Sequence, residues 1–301
     1  SPFCFYVGVP LARHCIRYAV ASGASAARIS LNKTVTDSYT ILNGELDKVS
    51  HSADRSIYIY LFAEGRYGTF STNRLEEKEL EDFIIKAIEM TRMLGEDSCR
   101  RLPAPERTAK DAITGRELGL FDDRYHSLNP EERLANALRL SRYDEIRKNE
   151  DGYRLISEEC EYSCTADDNY VADSNGFEGR HSETTFGTFS EMTIEDPEGN
   201  KYSGYWWHTC PVYDETDYGI GEKALKRAIS QTGPKKRRSG TYKMVVDSTV
   251  SSRLVSPLFT ALNASSIQQK MSFLEDSIGK QMFPEGMTLM DLARTPGKNG
   301  S

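Results

Sequence analysis

The chain has 301 residues, 38% of them hydrophobic and 28% charged, and a net charge of −7, which leaves room for two or three domains with a substantial core. No stretch approaches the ~18 consecutive apolar residues that a membrane-spanning helix needs, and an acidic balance argues against general affinity for nucleic acid, which requires a basic face. The first residues, Ser1 to Pro10, have neither a charged start nor a small-residue cleavage site, so they do not read as a secretory signal. The cysteines (Cys4, Cys15, Cys99, Cys160, Cys164, Cys210) are too sparse for a disulfide scaffold and read as reduced thiols of a cytoplasmic protein.

Leu11, Cys15, Ala19 and Val20 fall at helical spacing, with Gly23 as a stop. Strands are expected at Ala27–Leu31 and Ser38–Leu42, with Asn43-Gly44 as a hairpin turn and Glu45–Val49 returning. Ser56–Phe62 and Arg66–Ser71, joined by Glu64-Gly65, form a second hairpin. A long helix follows, with Asn73 as cap, Glu76 completing a capping box, Leu80, Phe83, Ile84, Ala87, Ile88 and Leu94 as its apolar stripe, and Gly95 as its end. The polar stretch from 99 to 120 reads as a linker.

The theme then repeats. Asn129-Pro130-Glu131-Glu132 is a helix start with proline in the first position, and Leu134, Leu138 and Ile146 carry the apolar face. Strands are expected around 153–163, 169–174, 183–194 and 201–210, then a helix over 221–231 with Leu225, Ala228 and Ile229 inward. Thr241–Asp247 reads as a further strand, followed by a helical stretch to about Lys270. There Ser256-Pro257 is either a fresh helix start or a kink. The polar ending, 292–301, suggests an unfinished third unit. The expected class is α+β: units over 1–100 and 115–234 built of antiparallel sheets with packed helices, then the start of a β-rich domain over 238–301.

Four stretches, in order, resemble the TldD/PmbA family. They are Asn43–Asp47 with the Tyr58–Ser71 hairpin, Asp173–Arg180 with its Ser174-Asn175-Gly176 turn, Gly219–Leu225, and Ser239–Asp247. The resemblance implies a metallopeptidase family with an N-terminal α+β part in two pieces and a β-rich C-terminal domain. TldD-type members carry H-E-x-x-x-H on the helix after the domain-entry strand, where two imidazoles meet one zinc and the Glu activates water. Here those positions fall on Pro257-Leu258-Phe259-Thr260-Ala261-Leu262, and no His follows His208. Pro257 and Leu262 replace the ligands and Leu258 the base. The chain therefore resembles the metal-free, PmbA (TldE)-like kind, with no cofactor of its own and not catalytic by itself. Zinc is then expected in a TldD-type partner subunit, and an extended peptide is the expected substrate, with no role for nucleic acid or membrane. The alternatives are a self-associating binding protein (a homodimer) without a peptidase partner, and an independent metallopeptidase with an unrecognised site.

Asn175, Gly176 and Arg180 are candidates to line a peptide or partner groove, although Asn-Gly also serves simply to permit a turn. His181, His208 and Cys210 could hold a metal, but packing in an aromatic strand explains them as well. Cys160 and Cys164 share a strand face without the further ligand pair that a structural zinc needs. Lys235–Arg238 reads as a solvated loop.

Overall fold

A computed structural model describes residues 3–108, 114, 116–147, 152–214, 219–292 and 295–298, with side chains from residue 8 onward. Parts of the expected linker (109–113 and 115) and of the expected polar ending (293–294 and 299–301) lie outside the described residues. By contacts the chain forms two units, residues 1–233 with 293–301, and residues 234–292.

The first unit opens with helix α1 (Phe3–Ala21), strands β1 (Ala26–Leu42), β2 (Glu45–Ala63) and β3 (Arg66–Thr72), and helix α2 (Glu77–Arg92). Short helices α3 (Arg124–Ser127), α4 (Pro130–Leu138) and α5 (Tyr143–Ile146) precede β4 (Arg154–Asp173), β5 (Glu178–Glu195), β6 (Lys201–Cys210) and helix α6 (Ile220–Ile229). All six strands form one antiparallel sheet in the order β3-β2-β1-β4-β5-β6. One sheet, rather than one for each stretch, therefore runs through both halves, joined where β1 pairs with β4 from Arg28↔Asp173 to Leu42↔Glu159.

The strands are longer than the hydrophobic pattern suggests. The expected strands 27–31 and 38–42 are one strand, and so are 45–49 and 56–62. Residues 32–37 and 50–55 are polar apart from Val35 and Ala53, yet they keep a continuous ladder (Asn32↔Ser56 to Ser38↔Ser50). Pairing satisfies their backbone groups, so no apolar alternation is needed there. The turns obey local chemistry: Asn43 and Gly44 have φ of 52° and 84°, and Glu64 and Gly65 have 51° and 71°, the left-handed pairs that suit two-residue hairpins.

Side chains of opposed residues share a face, and all three apolar clusters lie on the same one. The first packs Cys15 and Ala19 of α1 and Leu80, Ile84 and Ile88 of α2 on Ile29, Ile59, Leu61 and Ala172. The second packs Tyr125, Leu128, Ala137 and Leu140 on Ile41, Cys160, Tyr162 and Phe186. The third packs Ala224 and Ala228 of α6 on Leu155, Met192 and Ile194. The expected stripe on α2 is confirmed except at Leu94, which lies beyond the helix and is exposed. Asn73 does not cap α2: the helix starts at Glu77 behind Glu76, with no side-chain cap. The expected helix start at α4 does form with Pro130 first, and Asn129 and Glu132 close it as a reciprocal capping box. In α6, Ala224 and Ala228 face inward while Ile229 is exposed, one position off the expected face.

Among the described residues of the second unit there are two helices, α7 (Ser248–Leu262) and α8 (Ala264–Gln268), and no strand. The expected strand Thr241–Asp247 is irregular, and Tyr242, Met244 and Val245 are exposed. A β-prone run needs a partner strand to hold its backbone groups, and none is present there. Pro257 lies inside one continuous α7, so it is not a fresh helix start. No described helix is long and apolar enough to cross a membrane.

Burial sets an alkaline limit on the fold. The thiols of Cys15 and Cys160 are pushed up to about 12 and that of Cys164 to about 11, chiefly by burial. Burial also pushes the Tyr125 and Tyr170 hydroxyls up to about 12. Unfolded, these groups ionise at about 8.5 for thiols and about 10 for tyrosines. Their folded values are raised, so their contribution is complete below about pH 8 and is lost as pH rises towards 12. Thermal melts should show a falling midpoint above about pH 9, and a flat midpoint from pH 8 to 11 would refute this. At pH 8, maleimide should label exposed Cys99 before Cys15, Cys160 or Cys164.

Candidate functional site

Two places carry the expected functional residues, one in each unit. In the second unit, α7 is capped by Asp247, whose side chain accepts from the Thr249 amide at 2.9 Å. Its last turns present Pro257 and Phe259 exposed, Leu258 half-buried, and Leu262 exposed, with Leu254 one turn earlier also exposed. Leu254, Leu258 and Leu262, spaced i, i+4, i+8, make an apolar row. Thr260 turns its hydroxyl back to the Ser256 carbonyl at 3.3 Å. No imidazole, carboxylate or thiolate stands on this face, so it does not fit a zinc ion.

In the first unit, Asp173, Ser174, Asn175 and Gly176 make the turn from β4 to β5. The Asp173 carboxylate is buried, and one oxygen accepts from the amides of Asn175 (2.9 Å) and Phe177 (3.2 Å). Its other oxygen accepts from Arg28 Nη2 at 3.1 Å. Ser174 ties the turn to Ala27 through both its amide and its hydroxyl. Gly176, at φ 90°, supplies the left-handed step. The Asn175 side chain donates to the Pro103 carbonyl at 3.3 Å and borders a cavity of about 270 Å³ with Phe62, Arg66 and Arg100.

Arg180 lies elsewhere. It holds Asp168 through two bonds of 2.9 and 2.6 Å, while Ser182 donates to the same carboxylate at 2.7 Å. These residues line a larger cavity of about 400 Å³ on the helix-bearing face, with Lys33, Arg116, Phe121, Tyr125 and His126. Arg116 closes one wall, bound twice to Asp123 at 2.9 Å and stacked over Phe121 at 4.4 Å. Its guanidinium holds the Asp123 carboxyl below the usual range. Asn175 and Arg180 thus border different cavities, and Gly176 serves the turn.

The histidines do not converge. His181 lies opposite Asn169 on the open face, whereas His208 and Cys210 lie opposite Thr188 and Phe186 on the covered face. Among the described residues, the donors that do converge are His14 of α1 with Glu77 and Glu81 of α2, at 3.7 and 2.8 Å. The two glutamates are one helical turn apart, but Glu77 comes 63 positions after His14, so only the packing of α1 on α2 reveals the group. Glu77 is 63% exposed, and the arrangement ties α1 to α2 through the hydrogen bond between His14 and Glu81.

Comparison with known proteins matches residues 27–91 to PmbA/TldA metallopeptidase domain 1, 124–232 to the central domain, and 239–301 to the C-terminal domain. Among curated relatives, Metalloprotease PmbA of Escherichia coli O157:H7 is 25% identical over 92% of this chain and 62% of its own length. The Metalloprotease PmbA homolog of Haemophilus influenzae is 21% identical over 93% of this chain and 62% of its own length. A crystal structure of a candidate modulator of DNA gyrase from Bacteroides thetaiotaomicron superposes with a TM-score of 0.84 at 34% identity, over 96% of this chain and 64% of that one. TldE from Thermococcus kodakarensis shares the fold at a TM-score of 0.61 and 14% identity, over 90% of this chain and 59% of that one. The chain spans about three fifths of the length of the curated relatives it matches.

Proposed function

Because the chain belongs to the PmbA/TldD metallopeptidase family, we propose that it is a metal-free, TldE-like subunit that shapes a peptide-binding cavity for a TldD-type partner. The partner supplies the zinc site. What supports this reading is α7: by the resemblance, Pro257, Leu258 and Leu262 fall where TldD-type members carry two zinc-binding histidines and a general base. None of them can bind a metal or move a proton, so this chain contributes no step of hydrolysis from that helix. What the helix offers is the apolar row Leu254, Leu258 and Leu262, largely exposed, which suits packing against another protein surface.

Peptide capture runs through main-chain hydrogen bonds at a sheet edge, a mode that tolerates many sequences. The outer strands β3 and β6 offer such edges. Arg180, at the larger cavity, is the residue proposed to meet a peptide or partner carboxylate.

The test is metal analysis and peptidase assay of the purified chain, followed by co-purification of its natural form with a TldD-type subunit. The expected result is no stoichiometric zinc, no hydrolysis alone, and recovery of the partner. Zinc at one equivalent with peptidase activity from this chain alone would overturn the reading. That result would favour an independent metallopeptidase, the reading in keeping with the relatives' name Metalloprotease PmbA. A homodimer without a peptidase subunit would favour a self-associating binding protein.

A further inference from the structure

We propose that the open face of the sheet across β4, β5 and β6 is a docking surface for a basic extended peptide, one bearing lysine or arginine at alternate positions. This rests on the reading of the chain as a peptide-binding subunit and names the class of peptide.

The three apolar clusters take their residues from one face of the sheet. On the other face, the ladder register sets two neighbouring rows side by side. In one, Trp207 of β6 lies opposite Phe189 of β5, which lies opposite Glu161 of β4. In the next, Tyr205 lies opposite Glu191, which lies opposite Glu159. Aromatic rings therefore gather at the β6 side and carboxylates towards β4. Tyr205 stacks on Phe189 at 6.3 Å and on Trp207 at 5.8 Å, yet Tyr205 and Trp207 are still 40% and 39% exposed.

This arrangement is costly without a cation. Directly opposed like charges destabilise a sheet, and Glu159 faces Glu191 across the ladder. Further along the same face, Asp167 faces Glu183, roughly 26 Å from Glu159 at 3.3 Å per residue. The Glu161 carboxyl is held above its ordinary range by burial and by Glu159, with Lys48 the opposing cation. The other cations of this face are engaged or lie away from the rings. Arg154 pairs with Glu195, which also lies opposite Lys201, Arg28 pairs with Asp173, and His181 lies 3.3 Å from Glu183.

The chemistry selects the occupant. Exposed rings beside carboxylates attract a guanidinium or ammonium group by cation–π attraction and ion pairing together. Nucleic acid is repelled by the same carboxylates. Among the described residues, the metal-donor group lies on α1 and α2 and not here. An extended peptide places alternate side chains on one side, which suits an open sheet face and the spread of its carboxylates.

The experiment is fluorescence anisotropy of the purified chain with a labelled peptide of about ten residues carrying lysine at alternate positions, at low salt. The controls are the same peptide with glutamate or serine in place of lysine. We expect binding of the lysine peptide alone, weakened about tenfold or more, the equivalent of ~1.4 kcal/mol, in the double variant Glu159→Gln/Glu191→Gln and in Trp207→Ala. Glu76→Gln, a change off this face that likewise removes one negative charge per residue, should leave binding unchanged. Thermal melts establish that each variant is folded. Equal binding of the serine or glutamate peptide, or unaltered binding by folded face variants, would overturn the proposal. So would sedimentation showing that the face is filled by a second copy of the chain. The assay needs neither zinc nor a partner subunit, so its failure is distinct from failure of the subunit reading, which zinc analysis and co-purification decide.

Discussion

Replacing Gly204 by alanine is expected to cost about 3 kcal/mol or more, because a methyl group there would overlap backbone rather than side chain. A Cβ built at Gly204 falls within 3 Å of the Ala228 nitrogen, the Ala224 oxygen and the Arg227 carbonyl carbon, all on α6. A flexible side chain could swing away, but a helix backbone moves only as a whole. Displacing α6 would lift Ala224 and Ala228 from Met192 and Ile194, which are fully buried beneath them. It would also loosen Gln231, whose amide donates to the Ser203 carbonyl at 2.6 Å. Urea unfolding gives the magnitude, with Gly95→Ala as the control, since a Cβ there meets nothing within 4 Å. A loss below about 1 kcal/mol at Gly204 would show that β6 and α6 separate more easily than this close approach implies.

Local chemistry was readable in the sequence wherever a single residue type solves a backbone problem. Asn43-Gly44 and Gly176 announce left-handed steps, and Asn129 with Glu132 announces a helix start, because few other residues do these things. What escaped was structure made by partners remote in the chain. Residues 32–37 are strand because β2 and β4 both pair with them, although their own pattern is polar. Asn73 and Glu76 have the right spacing for a capping box, yet α2 begins only at Glu77, so spacing alone does not place a helix end. The candidate site divides in the same way. That residues 257–262 hold no metal-binding side chain needs only the sequence, whereas the Arg180–Asp168 pair and the rows across β4, β5 and β6 exist only once the register is known. Thr241–Asp247 shows the converse: high β propensity without a ladder partner gives no strand.

Asp173→Ala should be the second most damaging single change, at about 3 kcal/mol, the scale of leaving a buried charge without its partner. Its carboxylate is fully buried in side chain, while Arg28 is 28% exposed, so water relieves part of the loss and keeps it at the low end of that range. Two separate losses are combined in that figure. The Arg28 guanidinium, whose Nε already has no partner in the fold, would lose the acceptor for its Nη2. The amides of Asn175 and Phe177 would also lose the oxygen that bends the chain around Gly176. Asp173→Asn separates the two, because an amide oxygen can still accept from the turn while the charge facing Arg28 is gone. We expect it to cost about half as much, ~1.5 kcal/mol, the worth of a hydrogen bond to a charged group. Hydrogen exchange reads the turn independently: the Asn175 and Phe177 amides should exchange faster in the alanine variant and stay protected in the asparagine one. Equal costs for the two variants would mean that the ion pair with Arg28, and not the turn, is what Asp173 contributes. In that case the Ser174-Asn175-Gly176 turn would be held by Ser174 through Ala27.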